Sequence, residues 1–208
     1  MKILTTTTAT EEVIKEVAKE EFITMGFAGA RMRKIAENAK INTSSLHYYF
    51  RSKENLFEII FAEVMNSIFE VINNTLKDAN KDIFSKIGII VNDYIDFHSK
   101  SPKLLIFILN EFSLNPDRIK SSSAKLSTSQ SFDIFTKQIE AGKKEGTIKK
   151  TVNSQDVFTD ILSLCLFQFT AGSFLASVFE LDENDYSKFI ERRKSVITNT
   201  IISSIKEE

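Results

Sequence analysis

Helix breakers and cross-linking residues are what this chain has least of. It carries no tryptophan, one cysteine, two prolines and six glycines in 208 residues. A lone Cys165 cannot close an internal disulfide, so the fold must stand on packing, and a reducing, cytoplasmic setting suits it. So few prolines and glycines argue against a turn-rich β architecture and for an all-α one. The two histidines, His47 and His98, have no Glu three residues before them, which removes the di-iron helix signature. A glycine-rich phosphate loop, a nucleophile elbow and Cys–His metal spacing are missing too. The expectation is therefore no enzyme, no metal and no cofactor. The longest charge-free run is Ile161–Phe179, close to the roughly 20 residues that span a bilayer. It contains Ser163, Gln168, Thr170, Gly172, Ser173 and Ser177 and lies between Asp160 and Glu180, with no adjacent cationic anchor. It reads as a buried or dimer-forming helix, not a membrane span. Lys2 is followed by a threonine-rich stretch, not by the long apolar run of a signal peptide.

What the chain does have is phenylalanine, eighteen of them, and a hydrophobic content of 42%. Phenylalanine adds bulk without a hydrogen-bonding atom, so it suits a large core or an apolar cavity. The net charge of −1 hides an uneven distribution. Residues 26–53 carry Arg31, Arg33, Lys34, Lys40, Arg51 and Lys53 against Glu37 alone, a local +5, which leaves about −6 on the remainder. A basic module on an acidic chain is the footprint of a duplex-binding head; a solvated charged face is the other explanation.

The stretch Asn42–Leu56, NTSSLHYYFRSKENL, sits in that module. Asn42 caps a short helix of small hydroxyls and aromatics that exits through Arg51, Ser52 and Lys53. Such a helix is poor core material and good material for lying against phosphates and bases. Before it, Met32, Ile35, Ala36 and Ala39 mark one face of a short helix over Arg31–Ala39. Lys40-Ile41 is the turn, with Ile41 as an apolar plug. Two short helices joined in this way predict a helix-turn-helix, or else a plain helical hairpin whose tyrosines pack inward.

Taken together, Gly26-Phe27, Ile35-Ala36, Ala39, Ile41, Ser45-Leu46, Tyr49-Phe50, Ser52-Lys53-Glu54 and Leu56 resemble the N-terminal domain of the tetracycline-repressor (TetR) family. The resemblance covers about residues 8–60. Three positions depart from the family pattern: Lys40 stands where glycine is usual, Ala30 where a threonine cap is common, and His47 where tyrosine is usual. The resemblance implies that the long fourth helix links the DNA-contacting end to the interior, and that the last two helices form a dimer.

Periodicity then predicts about nine helices. The residues 1–7 read as a loose arm, and Thr8 with Glu11 as a capping box opening a helix to Met25 that Gly26 stops. The fourth helix covers Lys53–Lys77, the fifth Lys81–Ser99, and the sixth starts at Ser101-Pro102 and ends at Asn115-Pro116. A seventh begins within the serine-rich Ser121–Ser131, and Gly142 and Gly146 bracket a turn. The eighth covers Ser154–Phe179 and the ninth Asn184–Ile205. The expected division is a three-helix DNA-binding domain over 1–52 and a helical effector-binding and dimerisation domain over 53–208. Two long apolar terminal helices also suit a two-fold four-helix interface.

The expected function is a ligand-responsive transcriptional regulator, a repressor acting on palindromic operator DNA as a homodimer. Thr43, Ser44 and His47 are the candidates for base edges. Ser45, Tyr48, Tyr49 and Lys53 are the candidates for phosphates, with Arg31 and Arg33 reinforcing them. The effector is expected to be a small apolar or aromatic molecule. Its candidate contacts are the polar side chains Tyr94, His98, Asn110, Gln138 and Gln168 and the walls Met65, Phe107, Phe135 and Phe167. A DNA-binding activator or an interaction adaptor with no small-molecule ligand is the alternative.

Overall fold

Two helices in this protein end at residues of positive φ, Arg51 after the third and Gly146 after the helix that closes at Glu145. The computed structural model describes the backbone of residues 2–116 and 124–207, and the side chains of residues 9–116 and 129–207. Ten helices lie among the described residues. They are α1 (Lys2–Gly29), α2 (Met32–Asn38), α3 (Thr43–Phe50), α4 (Lys53–Lys77) and α5 (Ile83–Lys100), followed by α6 (Pro102–Leu114), α7 (Ala124–Glu145), α8 (Ser154–Thr170), α9 (Gly172–Val178) and α10 (Glu183–Ile205). The protein is all-α, and no helix among the described residues is by itself long and apolar enough to cross a membrane. Two compact units arise: one holds residues up to Asn66 with the segment starting at Lys103, the other holds Ser67–Pro102 and the chain from Leu126.

In the first unit Ile14, Ala18 and Phe22 of α1, Ile35 and Ala36 of α2, Leu46 and Phe50 of α3, and Leu56 and Phe57 of α4 are all buried. Phe57 is the hub. Its ring meets Phe22 and Phe27 edge-on at 5.1 Å each, Phe61 at 5.7 Å and Phe107 at 5.8 Å. Offset and edge-to-face pairs of this kind add about 0.5–1.5 kcal/mol each beyond area burial. Lys15 ties α1 to α4, lying 2.7 Å from both Glu12 and Glu63. Donating hydrogen bonds to Glu12 and then to Glu63 pushes its pKa up to about 12.

In the second unit α5, α8 and α10 pack against one another. Their shared core holds Ile87, Val91 and Ile95 from α5, Ile161 and Cys165 from α8, and Ile190, Ile197 and Ile201 from α10. Lys194 of α10 reaches Asp96 of α5 at 2.7 Å. Lys86 is buried, and its Nζ donates to the Leu76 carbonyl at 2.9 Å and to Gln138 Oε1 at 3.2 Å. Placing a cation at the last carbonyls of α4 satisfies groups that the helix cannot satisfy itself. The chain end is clasped: Lys149 N–H donates to the Ile205 carbonyl at 2.9 Å and Glu207 N–H to the Thr147 carbonyl at 3.1 Å.

Several sequence expectations need correction. Residues 2–7 are not a loose arm, because α1 already begins at Lys2. No glycine or proline interrupts the threonines, so the helix propagates upstream and Thr8 lies inside it rather than at its cap. Gly26 does break α1, with φ 65° and ψ 173°. In the serine-rich stretch, residues 121–123 lie outside the described residues, and from Ala124 the backbone is helical. Gly142 is not at a turn. It is buried within α7, where an added Cβ would come within 2.7 Å of Ile148 Cδ1, and Gly146 with φ 74° ends the helix alone.

The expected eighth helix is two, with α8 and α9 meeting at 71°. Tyr186 donates its hydroxyl to the Gln168 carbonyl, one that a continuing helix would satisfy from residue 172. An added Cβ on Gly172 would lie 3.2 Å from that hydroxyl, so the close approach relies on a glycine.

Phe57→Ala should destabilise the protein by about 3–5 kcal/mol, as large-to-small aromatic changes in a closed core do. Urea denaturation followed by far-UV circular dichroism measures it, and a loss under ~1 kcal/mol would mean that the hub tolerates a void.

Candidate nucleic-acid interface

An eight-residue helix is too short to persist alone, so α3 must be held by its neighbours. Asn42 is extended (φ −82°, ψ 157°), and its Oδ1 accepts the Ser45 N–H at 2.7 Å. That cap removes one orphan donor and is worth about 1 kcal/mol. Leu46 and Phe50, one turn apart, are 0% and 1% exposed and anchor one face. The other face is presented outward: Thr43, Ser44 and His47 are exposed, Ser45 and Tyr49 half-buried, and Tyr48 is 82% exposed.

At the exit Arg51 takes φ 60° and ψ −56°, ending the helix with its N–H on the His47 carbonyl at 2.8 Å. His47 Nδ1 is 2.9 Å from the Arg51 carbonyl. Because a carbonyl only accepts, that contact places a proton on Nδ1. Ser52 then starts α4, its Oγ accepting the Asn55 N–H at 3.1 Å.

The helix before it is set by its own turn. Ile41 N–H donates to the Ala36 carbonyl at 3.0 Å, and Ile41 is half-buried as the expected plug. Lys40 takes φ 56°, the left-handed region that costs a non-glycine residue about 1–2 kcal/mol. Arg31 opens α2 with an extended backbone and no side-chain cap, and its N–H reaches Glu21 Oε1 at 3.4 Å instead. Arg31, Arg33 and Lys34 are exposed, with Arg33 paired to Glu37 at 2.9 Å. Lys53 is half-buried, its ammonium 4.7 Å above the Phe27 ring and 3.4 Å from the Ala28 carbonyl. The outcome is a helix-turn-helix whose second helix bears hydroxyls and aromatics, with the cations on α2, in the turn and beyond the exit of α3.

Residues 14–60 match the family model for bacterial regulatory proteins of the tetR family, and residues 85–201, more than half the chain, match that of the tetracyclin repressor-like C-terminal domain. This chain belongs to the TetR family. Family members are transcriptional regulators that bind operator DNA. The repressor NicS of Pseudomonas putida is 26% identical over 172 residues, which cover 80% of this chain and 81% of that protein. A transcriptional regulator of Streptomyces coelicolor shares the fold with a TM-score of 0.68 at 19% identity, covering 96% of this chain and 99% of that one. The ketosteroid transcriptional regulator KstR2 of Mycobacterium tuberculosis does so with 0.67 at 14%, covering 96% of each chain.

The effector-contact candidates of this TetR-family regulator are scattered over both units. Met65 and Phe107 are buried in the first, where Phe107 packs on Phe57 and Phe61, while Asn110 is on the surface. In the second, Phe135 is buried beside Phe158, and Gln138 spends its amide on the Leu76 carbonyl at 2.6 Å. Gln168 is buried with its Nε2 on the Cys165 carbonyl at 2.6 Å, and Phe167 is 57% exposed. Tyr94 and His98 lie together, ring centroids 4.5 Å apart. Burial pushes the Tyr94 hydroxyl up and the His98 imidazole down to about 4, so both are uncharged near neutrality.

A cleft of about 630 Å³ opens in the second unit, walled by Phe169, Gly172, Ala176 and Tyr186; of the sequence candidates Gln168 lines it, while Phe169 and Tyr186 were not foreseen. The break at Ala171 creates it. The signals in sequence were Gln168 and Gly172 within an otherwise apolar run.

Lys40→Gly should stabilise the protein by roughly 0.5–1 kcal/mol, since relief of the left-handed strain exceeds the entropy that glycine regains on unfolding. Chemical denaturation tests this, and a loss of stability would show that the lysine side chain makes compensating contacts in the turn.

Proposed function

We propose that this chain is a ligand-responsive repressor, a homodimer that holds a palindromic operator with two copies of α3 and releases it when a small, largely apolar effector binds. The observation that carries the reading is the two-sidedness of α3. Leu46 and Phe50 lock it in the core while Thr43, Ser44, His47 and Tyr48 face solvent. Thr43 and Ser44, at the helix N-terminus, are placed to meet base edges, and His47 Nε2 would accept from an adenine or cytosine amino group. Ser45, Tyr48, Tyr49 and Lys53 serve phosphates, with Arg31 and Arg33 adding charge from α2. In this reading residues 1–52 are the reading head and residues 53–208 hold effector and partner.

The pairing surface is assigned to α8 and α10. Phe167 and Val196 are exposed there, amid Thr159, Ser163, Thr170, Ser195 and Thr200. These hydroxyls already donate within their own helices: Ser163 to the Thr159 carbonyl at 2.7 Å, Thr200 to the Val196 carbonyl at 2.8 Å. Covering such hydroxyls leaves no donor stranded, so small polar residues here act as apolar ones with close-approach geometry. A palindrome read by two heads needs them about 34–36 Å apart, which a two-fold dimer supplies. An effector acts by preferring the dimer whose heads are wrongly spaced, a coupling of about 1–3 kcal/mol. One fold relative, KstR2, is a ketosteroid transcriptional regulator, which is in keeping with an apolar effector here.

Thr43→Ala should change the preference among operator bases, whereas Lys53→Ala should weaken every duplex alike and lower the salt slope by about one unit. Fluorescence anisotropy against the upstream DNA of the protein's own gene, at several salt concentrations, reads both. An equal loss on all sequences for Thr43→Ala would remove it from the base-reading set. Phe167→Asp should yield a monomer by analytical ultracentrifugation with operator affinity reduced at least tenfold. A stable Phe167→Asp dimer would place the interface elsewhere.

A further inference from the structure

His98 is the one described side chain with buried polar atoms that have no hydrogen-bond partner, and both ring nitrogens are in that state. The ring is 0% exposed and caged by Tyr94 at 4.5 Å, Phe97 at 5.2 Å and Phe169 at 6.0 Å. A buried imidazole with nothing to bind is a standing penalty that an apolar ring of similar size would not carry. Burial alone perturbs it, with no charged group contributing. Phe169 has a second face: it also walls the cleft of about 630 Å³ between α5, α8, α9 and α10. Phe169 therefore neighbours both the orphaned ring and a hollow of the size that takes drug-like molecules. The cleft floor is apolar and aromatic, through Phe169, Ala176, Tyr186 and Ile190. Its titratable lining is acidic, Asp96, Asp182, Glu183 and Glu191. Asp96 and Glu191 are neutralised by Lys194 at 2.7 and 2.6 Å, and Asp182 is committed to capping α10.

We propose that this cleft is the effector site and that the effector is an uncharged molecule with an apolar or aromatic body and one hydroxyl or carbonyl group, which displaces Phe169 and bonds to His98. This deepens the ligand-responsive reading above and rests on it. A neutral imidazole offers one donor and one acceptor, matching a hydroxyl with both or a carbonyl with one. An anionic head group meets carboxylates at the cleft and no free cation among the cleft's lining residues.

A matched set tests it: 1-naphthol, naphthalene, 1-naphthoate and 1-naphthylmethylamine, titrated into the full chain by calorimetry and thermal shift. The expected result is 1-naphthol binding at least tenfold more tightly than naphthalene, with the two charged analogues weaker than 1-naphthol. His98→Phe should abolish the naphthol advantage and raise the melting temperature of the ligand-free protein by about 2–4 °C, the shift that relief of one unsatisfied group gives at this size. His98→Gln, which keeps a donor and an acceptor, should retain the preference. Ala176→Phe, which fills the cleft and leaves His98 in place, should block all four. Preference for 1-naphthoate, a naphthol advantage that survives His98→Phe, or no binding by any member overturns the assignment. Operator release by some other compound, unaffected by both variants, would overturn this site while leaving ligand response itself intact.

Discussion

Two side chains one helical turn apart, Leu46 and Phe50, fix everything that the front of the molecule can do. A helix of eight residues has no stability of its own, so its rotation about its axis is set by what it buries. Both residues are fully enclosed, and the opposite face is thereby committed to solvent. A rotation of one residue, roughly 100°, would bury Tyr48 or His47 and present a different set of groups. The Asn42 cap and the left-handed Lys40 sharpen this by fixing where the helix starts, which decides that Thr43 and Ser44 occupy its exposed N-terminal turn. The proposed base-reading side chains can then be short, because the scaffold and not their own length supplies the aim.

Most of this was legible from the chain. The positions of α2 and α3, the Asn42 cap, the Ile41 plug, the fourth helix and the Pro102 start all follow from local chemistry: a capping oxygen, a 3.6-residue period, a residue that cannot donate. Features set by tertiary contact were not. Nothing local separates Thr170 from Gly172 as a helix break, since a single glycine is tolerated inside many helices. Tyr186, well down the chain in α10, makes the break by taking a carbonyl. Gln138 likewise is an amide in an apolar helix, and nothing local announces that its partner is the end of α4, 62 residues away. Gly142 read as a turn for the same reason in reverse, since Ile148 packing on its missing Cβ has no signature in sequence.

The polar groups of the second unit sort by whether they find partners, and that sorting is more informative than their burial. Lys86, Gln138, Gln168 and Tyr186 are each tied to a backbone carbonyl at a helix end or bend. Their role is structural: they close the carbonyls that short loops and a 71° bend leave open. Among the described residues His98 alone has buried side-chain polar atoms with no partner. A fold that has solved four such problems with side-chain donors, and left a fifth group unsolved, concentrates its unsatisfied polarity at one place. An interior arranged in that way favours whatever molecule can complete it, which is how a mostly apolar cleft acquires selectivity from a single residue.

Charge distribution adds a constraint of a different range. The +5 of residues 26–53 and the roughly −6 of the remainder cancel in the total but not in the field. A polyanion approaching the basic stretch is attracted, and one approaching elsewhere is repelled, so encounter is oriented before any contact forms. α1 is consistent with this. Its exposed Glu12, Glu16 and Glu20 would oppose phosphate, which restricts it to buttressing the motif through Ile14, Ala18 and Phe22. Short-range packing thus decides which face of α3 is displayed, and in the proposed reading the long-range field brings that same face to DNA. Neither alone would suffice, because an exposed aromatic helix on an acidic surface would repel the duplex, and a basic surface without a locked helix would bind it without reading it.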